Sequence, residues 1–166
     1  MSAVKDITKI IKDIRGAIAD MGAKKQLLPM GKEAVRLISI RTRLGYGVRR
    51  EGAKRQKLKS LAPSYIEYRK KNRAKLSEFT RFRKSNLTFT GQMIDRLDVK
   101  RSTGLKVTLG WRLDSRYDTS LRNSEVAELV SKRRPWLNLT DLELKKLTRF
   151  YSLNFGKLLK RKKLLT

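Results

Sequence analysis

Val99-Lys100-Arg101-Ser102-Thr103-Gly104-Leu105-Lys106-Val107-Thr108-Leu109-Gly110-Trp111-Arg112-Leu113 carries the clearest strand signal in the chain and sets its fold class. Leu105, Val107, Leu109 and Trp111 alternate with Lys106, Thr108 and Gly110, and the pattern extends to Leu113. A period of two places one set of side chains on one face of a strand and the other set on the opposite face. Ser102-Thr103-Gly104 is turn chemistry, so Val99-Lys100-Arg101 reads as the first arm of a hairpin. Helical periods lie on both sides of this hairpin, so the chain mixes helix and strand.

Just upstream, Met93, Ile94 and Leu97 fall on one helical face, with Thr90 placed to cap the helix and Gly91 in its first turn. Downstream, Asn123 to Ser131 reads as a short helix bearing Val126, Ala127 and Val130. Pro135 biases the residue before it towards extended backbone, which makes Arg134-Pro135-Trp136-Leu137 an extended segment. Thr140-Asp141-Leu142-Glu143 is a capping-box sequence, in which Thr140 and Glu143 satisfy each other's amides. Leu144, Leu147, Phe150, Tyr151, Asn154, Phe155 and Leu158 follow at helical spacing. They predict a helix to about Leu159, roughly 30 Å long at 1.5 Å per residue. Lys160-Arg161-Lys162-Lys163 then suit the negative end of its dipole and belong to a basic tail, 157–166.

Towards the N-terminus the signals are mixed. Ile7, Ile10, Ile11, Ile14, Ala17, Ile18 and Met21 define one apolar stripe, with Ser2 as a cap and Gly22 as a stop. The stripe suits a core helix or an arm, over 1–22, that docks on a neighbouring subunit. Pro29 separates it from a second helical run, Gly31 to Arg43, whose Ala34, Val35, Leu37, Ile38 and Arg41 share one side. Gly45 and Gly47 close that run. From 45 to 84 the chain reads as an extended basic connection without strands. Within it Ser64 is a natural N-cap for a short helix starting at Tyr65, Ile66 and Tyr68. Long connections of this kind are usually functional or wait for a partner.

Composition narrows the chemistry. The 166 residues fit a single domain, 1–166. Forty-two Lys and Arg against 15 Asp and Glu leave a formal charge of +27, which opposes compaction and attracts polyanions. There is no cysteine and no histidine. Disulfides and thiolate sites are thereby excluded, and the commonest general base and metal ligand are missing. Folding in a reducing cytoplasm fits this composition. Met1 to Met21 mixes Lys5, Asp6, Lys9, Lys12 and Asp13 with its apolar residues, unlike a signal peptide. No stretch approaches the roughly 18 apolar residues of a membrane span, so a soluble protein is expected.

Catalytic sets are hard to assemble from Asp95, Asp98, Asp114, Asp118, Glu125 and Glu128. Glu125 and Glu128 are spaced to share a metal, but without histidine support they read as a solvated helix face. Asp114 and Asp118, interspersed with Arg112 and Arg116, read as surface ion pairs in a loop. No phosphate-loop or dinucleotide glycine pattern is present. The expectation is a protein that binds, with no catalytic residue, no cofactor and no metal. Arg49 to Lys59, Arg69 to Lys84 and Lys157 to Lys163 concentrate the cations, with Tyr65, Tyr68, Phe79 and Phe82 between them. Phosphate contacts and base stacking need such a mixture, yet no named nucleic-acid motif is legible. The candidates to face DNA or acidic protein surfaces are Arg49, Arg50, Lys54, Arg55, Lys57, Lys59, Arg69, Lys70, Lys71 and Arg73. Lys160, Arg161, Lys162 and Lys163 in the tail join them.

Three segments in fixed order resemble a family of bacteriophage tail-completion, or head–tail joining, proteins related to the Mu-like virion morphogenesis proteins. Lys57-Leu58-Lys59-Ser60-Leu61-Ala62-Pro63-Ser64-Tyr65, with Tyr68-Arg69-Lys70-Lys71 behind it, is similar to the family's L-x-P-L-S-x-x-Y…R segment. Leu87-Thr88-Phe89-Thr90-Gly91-Gln92-Met93-Ile94-Asp95-Arg96-Leu97 is similar to its L-x-x-T/S-G-x-L/M-x-x-S-L mark. Asn123-Ser124-Glu125-Val126-Ala127, then Arg134-Pro135-Trp136-Leu137 and a final helix, is similar to its N-x-x-V-A…R-P-F-L ending. The resemblance spans roughly residues 31 to 155. Arg96 departs from the usual small serine, and Trp136 from the usual phenylalanine.

The resemblance implies an α+β domain, an antiparallel β-sheet flanked by helices. It also implies a structural virion protein that forms a homo-oligomeric ring in the neck, six-fold like the tail, between capsid connector and tail tube. Tail completion, tail terminator and adaptor roles all fit. Its partners would be further copies of itself, a connector, stopper or adaptor protein, and the tail tube protein, with non-specific contact to passing genomic DNA and none to membrane. It would be made in the host cytoplasm and end in the virion. Leu61, Pro63, Tyr65, Leu87, Thr90, Gly91, Met93, Leu97, Trp111, Pro135 and Trp136 would carry the motifs and packing. Ring contacts are heterologous, and the N-terminal helix, the Arg49–Lys84 connection and the C-terminal tail are the candidates to make them. The alternative reading is a free nucleic-acid-binding protein that uses basic loops on phosphates.

Overall fold

Ala34, Leu37, Ile38 and Arg41 recur at helical spacing and are buried together, and this stripe seats helix α1, Lys24–Arg43, on the rest of the chain. The computed structural model describes residues 24–49, 54–78, 90–103, 106–116 and 120–161, with Gly16, Thr80, Arg83 and Leu87 as single positions. Apart from Gly16, which is helical, the expected N-terminal helix over 1–22 lies outside the described residues. Pro29 was expected to precede α1 and instead lies inside it. The ring's fixed φ is helical, but as the sixth residue of the helix Pro29 forgoes the bond to the Lys25 carbonyl and crowds that oxygen. Gly45, at φ +85°, stops the helix with a left-handed residue that accepts no side chain cheaply.

The connection after Gly45 is not strandless. Tyr46–Val48 (β1) and Arg55–Lys57 (β2) pair antiparallel, with Tyr46 opposite Lys57 and Val48 opposite Arg55. Three residues are too few to show alternation, and Arg-Gln-Lys offers no apolar residue to reveal it. Tertiary contacts hold the hairpin instead. Val48 and Leu58 are buried, the Val48 amide donates to the Pro135 carbonyl at 2.9 Å, and the Leu58 amide donates to Gly45 at 2.9 Å. Helix α2, Pro63–Lys71, follows and leads into a 3₁₀ turn at Arg73–Lys75. Its N-cap is Ala62, not Ser64; Pro63 takes the first helical position, where a missing N–H costs nothing.

Helix α3 is a single turn, Gln92–Asp95, shorter than its apolar spacing suggests, because Leu97 already opens β3, Leu97–Ser102. β3 pairs antiparallel with β4, Val107–Trp111, as the hairpin pattern predicts, with an irregularity between Val99 and Arg101. The strand stops at Trp111, and Leu113 is exposed rather than in register. Helix α4 covers Asn123–Arg133 and helix α5 Asp141–Arg161. The capping box of α5 forms as its sequence predicts: the Thr140 amide donates to Glu143 at 2.8 Å, and the Glu143 amide to the Thr140 hydroxyl at 3.3 Å.

The chain is therefore α+β, although its strands form two separate two-stranded sheets rather than one. Ile38, Met93, Ile94, Leu97, Trp111, Ala127 and Trp136 make the main core between α1, the β3–β4 hairpin and α4. Ala34, Leu37 and Leu147 make a second cluster where α5 crosses α1. Each large apolar side chain among them contributes about 1.5–3 kcal/mol by leaving water. Leu144, read as part of the α5 stripe, is exposed. No helix among the described residues is long and apolar enough to cross a membrane.

Candidate functional site

Gly91 adopts φ +78° at the N-cap of α3, and Leu87 has φ +54° just before it. These left-handed residues turn the chain back towards the start of α2 and the inner side of α4. The three elements enclose a cavity of about 350 Å³. Leu61, Ala62, Tyr65 and Arg69 line it from the first resembling segment, and Leu87, Thr90, Gly91 and Met93 from the second. Val126 and Arg134 line it from the third, with Val130 and Arg116 alongside. The walls are mainly apolar, and no carboxylate stands among the described lining residues.

The cavity's cations have defined places. Arg69, read from sequence as an outward cation, is 2 % exposed, and its guanidinium lies 5.2 Å from the Tyr65 ring centre. A guanidinium buried to that degree cannot also face a partner, so that expectation is corrected. Tyr65 and Tyr68 stack at 6.0 Å with 15° between planes. Arg116 donates to Asn123 Oδ1 at 3.2 Å and to the Thr90 hydroxyl at 3.4 Å. Thr90 is thus no helix cap; its hydroxyl also accepts from Gln92 Nε2 at 3.3 Å. Arg134 donates to the carbonyls of Lys59 at 3.3 Å and Ser60 at 3.4 Å.

Asp114 is not a surface ion-pair residue either. Its carboxylate accepts the amide of Ser124, at 2.7 Å, and the Ser124 hydroxyl, and so caps α4 from a distant loop. Burial pushes its pKa up, but the two hydrogen bonds from Ser124, with Arg122 and Lys100 nearby, outweigh that and hold it below the ordinary value. Asp118 lies outside the described residues. Glu125 and Glu128 are exposed; Glu125 accepts the Arg122 amide at 2.6 Å, and Glu128 pairs with Lys132 at 3.6 Å.

A second concavity, about 380 Å³, runs between the β1–β2 hairpin and the Arg133–Pro135 segment. Lys57, Lys59, Arg133 and Arg134 line it with Gln56, and Arg134 is shared with the apolar cavity. Gly47 is what lets the walls meet, since a Cβ there would stand 2.1 Å from the Pro135 carbonyl oxygen. Arg49, Lys54, Arg55, Lys57 and Lys59 are all exposed, and Arg55 lies 3.6 Å over the Tyr46 ring. Lys70, Lys71 and Arg73 occupy α2 and the turn after it; Lys70 pairs with Glu67 at 2.7 Å, and Lys71 is exposed. Lys160 and Arg161 are exposed at the end of α5, while Arg50, Lys162, Lys163, Phe79 and Phe82 lie outside the described residues.

Of the motif residues, Met93, Leu97, Trp111 and Trp136 are buried, Leu87 packs against them half-buried, and Pro63 is exposed. Arg133 and Arg134 give no signal in the sequence because only the fold brings them beside β2. Arg41 and Glu143 likewise give none as a pair. The Arg41 guanidinium, 4 % exposed, donates to Glu143 and to the carbonyls of Trp136 and Asn138, tying α1 to the start of α5. Burial lowers the Arg41 pKa, and Glu143 partly restores it. An arginine inside an otherwise apolar stripe was the available signal. No group of three or more Asp and Glu residues suited to a metal occurs among the described residues. No protein-family model, no curated protein and no solved structure matches the chain.

Proposed function

We propose that this chain is a structural virion protein of a tailed bacteriophage, one that works by assembly rather than catalysis. In this reading it forms a ring, six-fold like the tail, in the neck between capsid connector and tail tube. One observation carries the reading. The three segments that resemble tail-completion proteins, separated by tens of residues in sequence, line one cavity together. The exposed cations outside the groove beside β2 then serve as contact chemistry towards acidic neighbours in the ring or at its faces.

Sedimentation velocity tests it. The purified chain, alone and mixed with connector and tail tube proteins, should sediment as a closed oligomer or form one with a partner. A chain that stays monomeric and associates with neither would overturn the reading. A second reading, a protein that binds nucleic acid as a free chain, is favoured by the cationic groove beside β2. It predicts DNA binding that weakens linearly in log salt.

A further inference from the structure

We propose that the groove between the β1–β2 hairpin and Arg133–Pro135 binds a phosphodiester backbone, reading its charge and not its sequence. The inference rests on the second reading above and locates it on named residues. The first support is how charge is sorted over the surface. Some exposed cations elsewhere stand beside acids: Arg36 with Glu33, Lys70 with Glu67, Arg112 with Asp98 and Lys132 with Glu128. Among the described residues of the groove, Lys57, Lys59 and Arg133 make no ion pair and no carboxylate lines the walls. Cations held together without acids repel one another, and a polyanion relieves that cost.

Spacing is the second support. Leu58 is buried, so the extended chain around it turns Lys57 and Lys59 outward on either side. Arg55 continues the row on β2. Side chains two residues apart on extended backbone stand about 6.6 Å from each other. That is comparable to the separation of successive phosphates along one nucleic-acid strand. The third support is that the groove is built before any ligand arrives. Arg134 bridges its walls to the Lys59 and Ser60 carbonyls, and the Val48 amide is bonded to Pro135. A binding site that needs no ordering keeps more of its interaction energy. An acidic protein segment would need apolar anchors as well, and the groove's Val48 and Leu58 are already buried.

The test is fluorescence anisotropy of a short labelled DNA duplex with the full chain, titrated between roughly 50 and 200 mM salt. A Lys57→Gln/Lys59→Gln/Arg133→Gln variant removes three groove charges, and Lys106→Gln/Lys145→Gln/Arg149→Gln removes three exposed charges outside the groove. Each phosphate left without its cation flattens the slope of log affinity against log salt by about 0.9. The groove variant should therefore flatten it by about 2 to 3 and bind on the order of tenfold more weakly at low salt. The second variant should lose far less, and thermal melts should show both folded. Equal losses in the two would overturn the groove while leaving DNA binding intact. No binding by the unmodified chain would overturn both this inference and the reading it rests on. If polyglutamate of matched charge binds as tightly and with the same dependence on Lys57, Lys59 and Arg133, the site is for acidic protein and the inference fails.

Discussion

Two tryptophans separate what burial contributes from what a hydrogen bond contributes. Trp111 and Trp136 both belong to the main core, but the Trp111 indole N–H donates to the Met93 carbonyl at 2.6 Å, while the Trp136 indole N–H has no partner among the described residues. Replacing either by phenylalanine removes similar volume. Trp111→Phe should therefore be the more destabilising, by about 1 kcal/mol, since only it strands a buried carbonyl. Equal urea midpoints for the two variants would contradict this. At Gly47 the argument is steric. A methyl group 2.1 Å from the Pro135 oxygen also meets the Leu58 side chain, so Gly47→Ala should cost about 1–3 kcal/mol. An unchanged unfolding midpoint would show that the hairpin and the Pro135 segment are not clamped together. Arg41 sets a third case. Arg41→Met leaves Glu143 buried without its cation, an expected loss of about 3–5 kcal/mol, and adding Glu143→Gln, which removes the charge but keeps an acceptor for the Thr140 amide, should recover part of it. A double variant no better than the single one would argue against the pair as the cause.

Among the elements, capping decides where helices begin. The capping box of α5 is local, so Thr140 and Glu143 announce it in the sequence. At α4, Glu125 locally accepts the Arg122 amide, but the Ser124 amide is capped by Asp114, ten residues away and across a loop, and nothing local announces that. It leaves a pH signature. The folded Asp114 carboxyl titrates below its ordinary value of 3.8, so the stability it adds is complete above that value and lost as pH falls through the lower, folded one. The gap in unfolding midpoint between wild type and Asp114→Asn should be constant near neutrality and close in acid. A gap that stays open in strong acid would place the effect elsewhere. The hairpins divide in the same way. β3–β4 buries one face, and alternation gives it away. β1–β2 exposes all of β2 and is held by bonds to Gly45 and Pro135, so its own residues carry no pattern.

For the molecule as a whole, a formal charge of +27 works against compaction. Added salt screens that repulsion, so the isolated chain should melt at higher temperature as ionic strength rises, until ion pairs weaken in turn. A melting temperature that only falls with salt would mean attractive pairs outweigh the surplus. Local pattern was enough to read the β3–β4 hairpin, a helix from Asn123 to Ser131 that runs on to Arg133, the long capped α5 and the burial of Met93, Leu97, Trp111 and Trp136. Periods and caps relate each residue to neighbours a few positions away, and those relations are written along the chain. The cationic surplus and the absence of histidine and cysteine were equally plain. Which cations face outward, and which are held inside, emerged from the packing alone. It buried Arg69 under Tyr65, tied Arg41 to Glu143, and set Arg133 and Arg134 beside Lys57 and Lys59. A cation's surroundings depend on chain segments far away in sequence, whereas a helix or hairpin carries its own pattern with it.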